Sequence, residues 1–333
     1  MVNSVEKATQ KASVYWSKLD CSASDRDFYS FPALRSRLCR LIFNESDGGR
    51  GDWCQYWTVE KYLQDAVPFK NALSLCCGFG GLERCLMKLN AVESITGIDI
   101  APGAIEEASQ QAARENLDIK YRVCDVNTET LPAETYDLIW GNGALHHIEH
   151  LEKVLPMLYA ALRPGGFLIA TEYVGPRYQQ INIRQQQLIN AVKHLLPGDL
   201  RETYANDKGS PLFKIAKRIK RAIFTGQFSS ARFSQIWWPV PLRWFKKNDP
   251  SECVNSQKII PVLRNTFEEV DVRYFGGSIL FYALDQVFYE NFDPANEAHC
   301  KILEMLFGIE DALIETGEIA NDNAHIICRK KSP

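Results

Sequence analysis

This sequence lacks paired cysteines, long apolar runs and any excess of positive charge, and each absence narrows what the chain does. Its ten cysteines never stand two residues apart. Zinc needs clustered ligands and disulfide frameworks belong to short secreted chains, so neither fits, and reduced thiols in a cytoplasmic protein are the expectation. No stretch approaches the ~20 apolar residues of a membrane span. The opening MVNSVEKATQKASVYW has no apolar centre of signal-peptide type. A formal net charge of -3 speaks against nucleic-acid binding through bulk positive charge. What is present is 333 residues, 46% hydrophobic and 24% charged, enough for a sizeable core.

Residues 1–65 show no clear alternation and are rich in aromatics, among them Tyr15, Trp16, Trp53, Tyr56 and Trp57; they read as an N-terminal helical cap. Residues 66–175 alternate apolar strands with helices: NALSLCC, then GLERCLMKLN, SITGIDI, GAIEEASQQAARENL, IKYRVCDV, YDLIWGNGAL, LEKVLPMLYAALRPGG and FLIATEY. Such alternation means βαβ units and a mostly parallel sheet. The pattern breaks at Gly175. Residues 176–254 read as a helical lid insertion, basic and aromatic in its second half. Residues 255–333 complete the core sheet through EEVDVRYF and AHIICRK, with a helical insertion between.

In an open α/β sheet, ligands sit beyond the carboxyl ends of the strands. The loop CCGFGG follows the first strand and has two candidate cofactors. A dinucleotide wants a third glycine where Glu83 stands, and its pyrophosphate would meet that carboxylate. S-adenosylmethionine has no phosphate and carries a positive sulfonium. Glycines give it close backbone approach. Asp99 ends the second strand, placed to accept from the ribose hydroxyls. Asp125 ends the third, placed to accept from the adenine amino group beside the Val126 N–H. Three consecutive strand ends carrying a glycine loop, Asp and Asp favour the sulfonium cofactor.

The motifs LSLCCGFGG, GIDI, CDV, YDLIWGNGALHHI and LRPGGFLIATEY together resemble the class I S-adenosylmethionine-dependent methyltransferases over residues 66–175. The resemblance implies an α/β, Rossmann-like, seven-stranded and mostly parallel sheet whose last strand is antiparallel. It places Cys76, Cys77, Gly78, Gly80, Asp99, Ile100, Asp125, Val126 and Asn142 at the cofactor. The family's first strand usually has an acid at Ser74 and a glycine at Cys76. Contacts to the methionine amino group are therefore expected from backbone carbonyls and from Gly143 or Asn142. EYVGPRYQQINIRQQQLIN, DPSEC and FGGSIL resemble a bacterial subgroup associated with glycan or natural-product tailoring.

Methyl transfer needs alignment, exclusion of water and, for a hydroxyl acceptor, a base. His146 and His147 end the fourth strand and are the candidate bases, the alternative being that one packs or caps the next helix. Glu172 and Tyr173 can contact the acceptor or close the sheet edge. HHIEH does not converge on a metal, because adjacent helical side chains point apart and a zinc site draws on a second segment. Cys77 reads as a packed thiol.

From Pro211 to Lys247 nine basic residues meet no Asp or Glu, with tryptophans nearby. The segment reads as a lid whose basic face suits an anionic small-molecule acceptor, with peripheral membrane contact as the alternative. Methyl transfer to an oxygen or nitrogen of a sugar, glycoconjugate or other secondary metabolite is the expected function. Methylation of a peptide or protein carboxylate or amine, and a catalytically silent cofactor-binding subunit, are the rivals.

Overall fold

Both faces of the central strands are covered, so they are written as apolar runs with little alternation. In the computed structural model, which describes residues 4–17, 31–197, 200, 237–284 and 291–332, seven strands form one sheet. They are β1 (Ala72–Leu75), β2 (Ile95–Asp99), β3 (Lys120–Val123), β4 (Tyr136–Asn142), β5 (Leu162–Tyr173), β6 (Glu269–Tyr274) and β7 (Asn323–Arg329). Their order is β3-β2-β1-β4-β5-β7-β6. The first five pair in parallel, and β7 runs antiparallel to both β5 and β6. The mostly parallel, Rossmann-like sheet with an antiparallel last strand is thus as the sequence implied. Charges on both edge strands, such as Lys120 and Arg122 on β3 and Asp271 and Arg273 on β6, discourage edge-to-edge pairing.

The helices are α1 (Ser4–Trp16), α2 (Pro32–Phe43), α3 (Trp53–Thr58), α4 (Gly81–Lys88), α5 (Pro102–Arg114), α6 (Leu151–Ala161), α7 (Ile183–Leu195), α8 (Leu242–Asn248), α9 (Ile259–Thr266), α10 (Leu280–Leu284) and α11 (Glu297–Glu315). A π-helical turn (Val59–Leu63) prolongs α3. On one sheet face, Leu73, Leu75, Ile139 and Leu168 pack against Leu151, Leu155 and Leu158 of α6 and Ile259 and Leu263 of α9. On the other, Ala72, Leu138, Trp140 and Ile169 meet Leu86 of α4 with Val59 and Leu63. Each fully buried aliphatic side chain contributes roughly 1.5–3 kcal/mol, so these two faces hold the strand ends in place.

One element boundary differs from the sequence reading. LRPGG was expected to finish α6, yet α6 stops at Ala161 and Leu162 is already extended (φ -72°, ψ 140°). Pro164 has no N–H to give a helix and disfavours helical geometry at Arg163. A register shift opposite Tyr136 and Leu138 absorbs the irregularity.

Residues of the expected N-terminal cap go to two places. α1 lies across the strand ends against α5 and α8, pinned by the Ser13 hydroxyl, which donates to the Ile100 carbonyl at 2.9 Å. α2 joins α7, α10 and α11 in a separate apolar cluster through Leu34, Leu38, Ile189, Leu280, Leu303 and Leu306. Of the basic segment 211–247, residues 211–236 lie outside the described residues. Its end, α8, packs on α1, with Trp244 edge-on to Tyr15 at 6.2 Å between ring centres.

Candidate functional site

The turn after β1 is built from left-handed backbone. Cys76 has φ 47°, Gly78 φ 52° and Gly80 φ 77°. Only the glycines adopt this region without strain, so Cys76 occupies it at a conformational cost. The turn is held from below by Asp99, whose Oδ2 accepts from Gly78 N at 2.9 Å and whose Oδ1 accepts from Ala101 N at 2.8 Å. A side chain at Gly80 would strike the Tyr121 hydroxyl, so that glycine serves helix–strand packing.

A cavity of about 440 Å³ opens at these strand ends, within the size range of small-molecule sites. Cys76, Gly78, Asp99, Ile100, Asp125, Val126, Asn142, Gly143, His146 and His147 all line it. Cys77 and Gly80, expected at the cofactor, do not. Cys77 is turned into the packing beside Gly97, where a side chain would strike the Tyr121 ring and crowd the Cys77 Cβ, and burial pushes the Cys77 thiol far above the usual range. The sequence reading missed two further walls. Thr9, Ala12 and Trp16 of α1 form one, and Pro250, Ser251, Glu252 and Val254 of the DPSEC segment form the other. The lining carries Asp99, Asp125, Glu149 and Glu252 and, among the described residues, no Lys or Arg. Such a donor set fits a positive sulfonium and opposes a pyrophosphate.

Glu172 departs from its expected role as an acceptor contact. Its side chain is fully buried, and its carboxylate accepts from Ala144 N at 2.8 Å, Leu145 N at 2.7 Å and His146 Nδ1 at 2.8 Å. It braces the turn after β4 and orients His146 from behind. Tyr173 likewise turns away, its hydroxyl meeting the Pro176 carbonyl and the Tyr282 hydroxyl. His150 is exposed.

The DPSEC segment reaches the histidines through backbone ties. Val254 N donates to the His146 carbonyl at 3.0 Å, and the Asn255 amide donates to the Glu149 carbonyl at 2.6 Å. This places the Ser251 hydroxyl 3.1 Å from His147 Nδ1 and Glu252 Oε2 3.7 Å from His147 Nε2. Trp16 closes the group, donating to Asp249 Oδ2 at 2.9 Å and standing edge-on to His147 at 5.2 Å.

The two imidazoles, 4.2 Å apart, are driven in opposite directions. Burial opposes charge on His146, but the hydrogen bond and attraction of Glu172 outweigh it and its pKa rises. Burial lowers the pKa of His147, and the neighbouring His146 charge lowers it further. Burial of Glu252 is outweighed by its attraction to His147 and His146, which keeps it a carboxylate. The two pKa values are thus pushed apart, His146 up and His147 down, the separation expected of an acid and base pair.

The DPSEC segment brings a second set of metal-ligating side chains to HHIEH. His147, Asp249 and Glu252 approach one another, as do His146, Glu252 and Cys253. Asp249, however, already accepts on both oxygens, from Ser251 and from Trp16.

Glu83, the residue that broke the dinucleotide pattern, is fully buried against β1. Neither its carboxylate nor the adjacent Ser74 hydroxyl finds a hydrogen bond among the described residues. Burial raises the Glu83 pKa to about 7. A raised carboxylate pKa means the unfolded chain ionises first, so stability is lost as pH climbs from 4.5 to about 7. Glu83→Gln should remove that loss: relative to the variant, the wild type should weaken by about 3 kcal/mol between acid and mildly alkaline pH. Urea melts of both proteins across that range check it, and parallel curves would place Glu83 in contact with a compensating charge.

With this geometry in view, residues 72–166 match the family described as Methyltransferase domain. The wheat phosphoethanolamine N-methyltransferase is 26% identical over 163 residues, 47% of this chain and 32% of that protein. A Coxiella burnetii ubiquinone biosynthesis O-methyltransferase is 29% identical over 110 residues, 32% of this chain and 46% of that protein. The chain thus spans less than half the length of these curated relatives. Among solved structures, phosphoethanolamine N-methyltransferase 2 of Haemonchus contortus with S-adenosyl-L-methionine aligns over 92% of this chain and 60% of that one, at 15% identity and a TM-score of 0.44. Among the described residues no helix is long and apolar enough to cross a membrane.

Proposed function

We propose, from the premise that residues 72–166 form a class I S-adenosylmethionine-dependent methyltransferase domain, that the whole chain methylates an oxygen or nitrogen of a small molecule. The observation that carries this reading is the acid-lined cavity at the strand ends with His146 and His147 at its far wall. Asp99 and Asp125 are the residues that would hold the cofactor's ribose and adenine, and Cys76, Gly78 and Asn142 would lie toward its methionine half. When bound, the cofactor supplies a methyl carbon on a positively charged sulfur, which leaves with the bonding electron pair. His147 takes the acceptor's proton on Nε2, and the charge so formed lies beside Glu252. His146, held by Glu172, favours the neutral form of His147 before that moment. α1 and Trp16 cover the cavity and restrict water.

A lining free of Lys and Arg among the described residues favours a neutral or weakly basic acceptor, such as a sugar hydroxyl or an amine. The anionic acceptor, like the lipid contact, rested on the basic segment 211–247, most of which lies outside the described residues. Tailoring of a glycan or another secondary metabolite is the substrate class we favour.

Titration calorimetry with S-adenosylhomocysteine should give saturable one-site binding, weakened by roughly 1–3 kcal/mol in Asp99→Ala. Methyl-labelled cofactor offered with a panel of small hydroxyl and amine compounds should then yield labelled product. Absence of binding would reject the assignment. Binding without product on any acceptor class, peptides included, would point to a catalytically silent subunit.

A further inference from the structure

We infer that Ser251 and Asp249 are positioning residues for His147: the chain Asp249–Ser251–His147 fixes the imidazole as its Nδ1–H tautomer and presents the Nε2 lone pair to the cavity. The inference rests on the reading of His147 as the proton acceptor, and assigns a role to the DPSEC segment.

Ser251 Oγ lies 2.6 Å from Asp249 Oδ1 and 3.1 Å from His147 Nδ1. A hydroxyl has one hydrogen to give, and an ionised carboxylate can only accept. The shorter contact has the length of a charge-assisted O–H···O bond, so Ser251 donates to Asp249. Its oxygen must then accept from His147, which places the ring hydrogen on Nδ1 and empties Nε2. Glu252 does not compete for a hydrogen on Nε2, because 3.7 Å is beyond hydrogen-bond reach.

The support is itself supported. Ser251 N also donates to Asp249 Oδ1, at 3.1 Å, while Trp16 Nε1 holds Oδ2. Asp249 is thereby fixed on both oxygens, and its side chain is buried. The charged and titratable groups facing His147 from the surrounding elements are His146, Glu252, Asp249 and, behind His146, Glu172. Neither of the first two reaches Nδ1 with an acceptor. Ser251 alone, among the described contacts, determines which ring nitrogen carries the hydrogen. In the reaction the acceptor's proton goes to Nε2, the ring becomes an imidazolium, and its Nδ1–H bond to Ser251 strengthens as charge appears.

The tautomer can be read without knowing the acceptor. Long-range proton–nitrogen correlation spectra of the full chain, labelled with ¹⁵N-histidine, should show His147 at mildly alkaline pH with a protonated Nδ1 and a bare Nε2. Ser251→Ala should shift the tautomer ratio toward Nε2–H by about 2- to 10-fold, the range one net hydrogen bond supports. Ser251→Thr, which keeps the hydroxyl, should restore the wild-type spectrum. A shared urea-unfolding midpoint in both variants separates positioning from general damage to the fold. A wild-type His147 carrying its hydrogen on Nε2 would overturn the inference. So would an unaltered spectrum in Ser251→Ala. Because the wild-type spectrum needs neither cofactor nor acceptor, failure of the methyl-transfer reading and failure of this relay are seen in different experiments.

Discussion

His147→Gln should lower turnover by roughly 10²–10⁴-fold while leaving S-adenosylhomocysteine affinity nearly intact. The magnitude is that of a removed general base, and the split follows from position. His147 sits against Trp16 and Glu252 at one wall, whereas Asp99 and Asp125 hold the strand-end side. The pH profile adds a sign. A base works only when neutral, so the rate falls below its pKa, and the charge on His146 holds that pKa down. His146→Gln should therefore move the acid limb of kcat/KM upward in pH, at modest cost in the plateau. Stopped assays of S-adenosylhomocysteine release over a pH series measure both effects. Full activity of His147→Gln would mean that alignment suffices, as for an amine that arrives already neutral.

Arg37→Met should destabilise the protein by roughly 3–5 kcal/mol, the cost of a buried charge stripped of its partner. Arg37 and Glu310 are both 2% exposed and lie 3.2 Å apart, while Arg37 also binds Asp311 through two bonds of 2.7 Å. Glu310 does more than pair. Its Oε1 accepts from Ile279 N and Leu280 N at 2.9 and 3.0 Å, at the start of α10. Removing Arg37 leaves that carboxylate buried with backbone donors alone. The double replacement Arg37→Met with Glu310→Met should cost less than the sum of the singles in urea unfolding. Strict additivity would show that the two side chains do not sense each other.

The strand ends were legible because the chemistry there is local. Gly78 and Asp99 stand at the ends of buried apolar runs, so the run locates them, and Asp125 stands just after the next strand in the alternation. What was not legible came from chain folded back over long separations. Trp16 and Asp249 are 233 residues apart, and no pattern in either segment announces the other. DPSEC carried a resemblance but no visible task, since Ser251 acquires one only when the Val254 and Asn255 ties bring it to His147. Glu172 misled for the opposite reason. A carboxylate at the end of β5 looks aimed outward, until three successive N–H groups after β4 turn toward it. The LRPGG boundary was misread because helical periodicity ran on into residues whose backbone a proline had already committed.

The position of β7 has a consequence for synthesis. β5 pairs with β4 on one side and with β7 on the other, and β7 joins β6 to the rest of the sheet. Some 150 residues separate β5 from β7, which at about 5–20 residues per second is about 8–30 s of elongation. Throughout that interval the open side of β5, with Leu168, Ile169 and Ala170 among its residues, waits unpaired while β6 emerges first and must not take the place. A slot between two strands is kept for a third that is made last. Such an edge is a template for mispairing, so the yield of folded protein depends on how fast the ribosome covers the stretch from Val174 to Asp322.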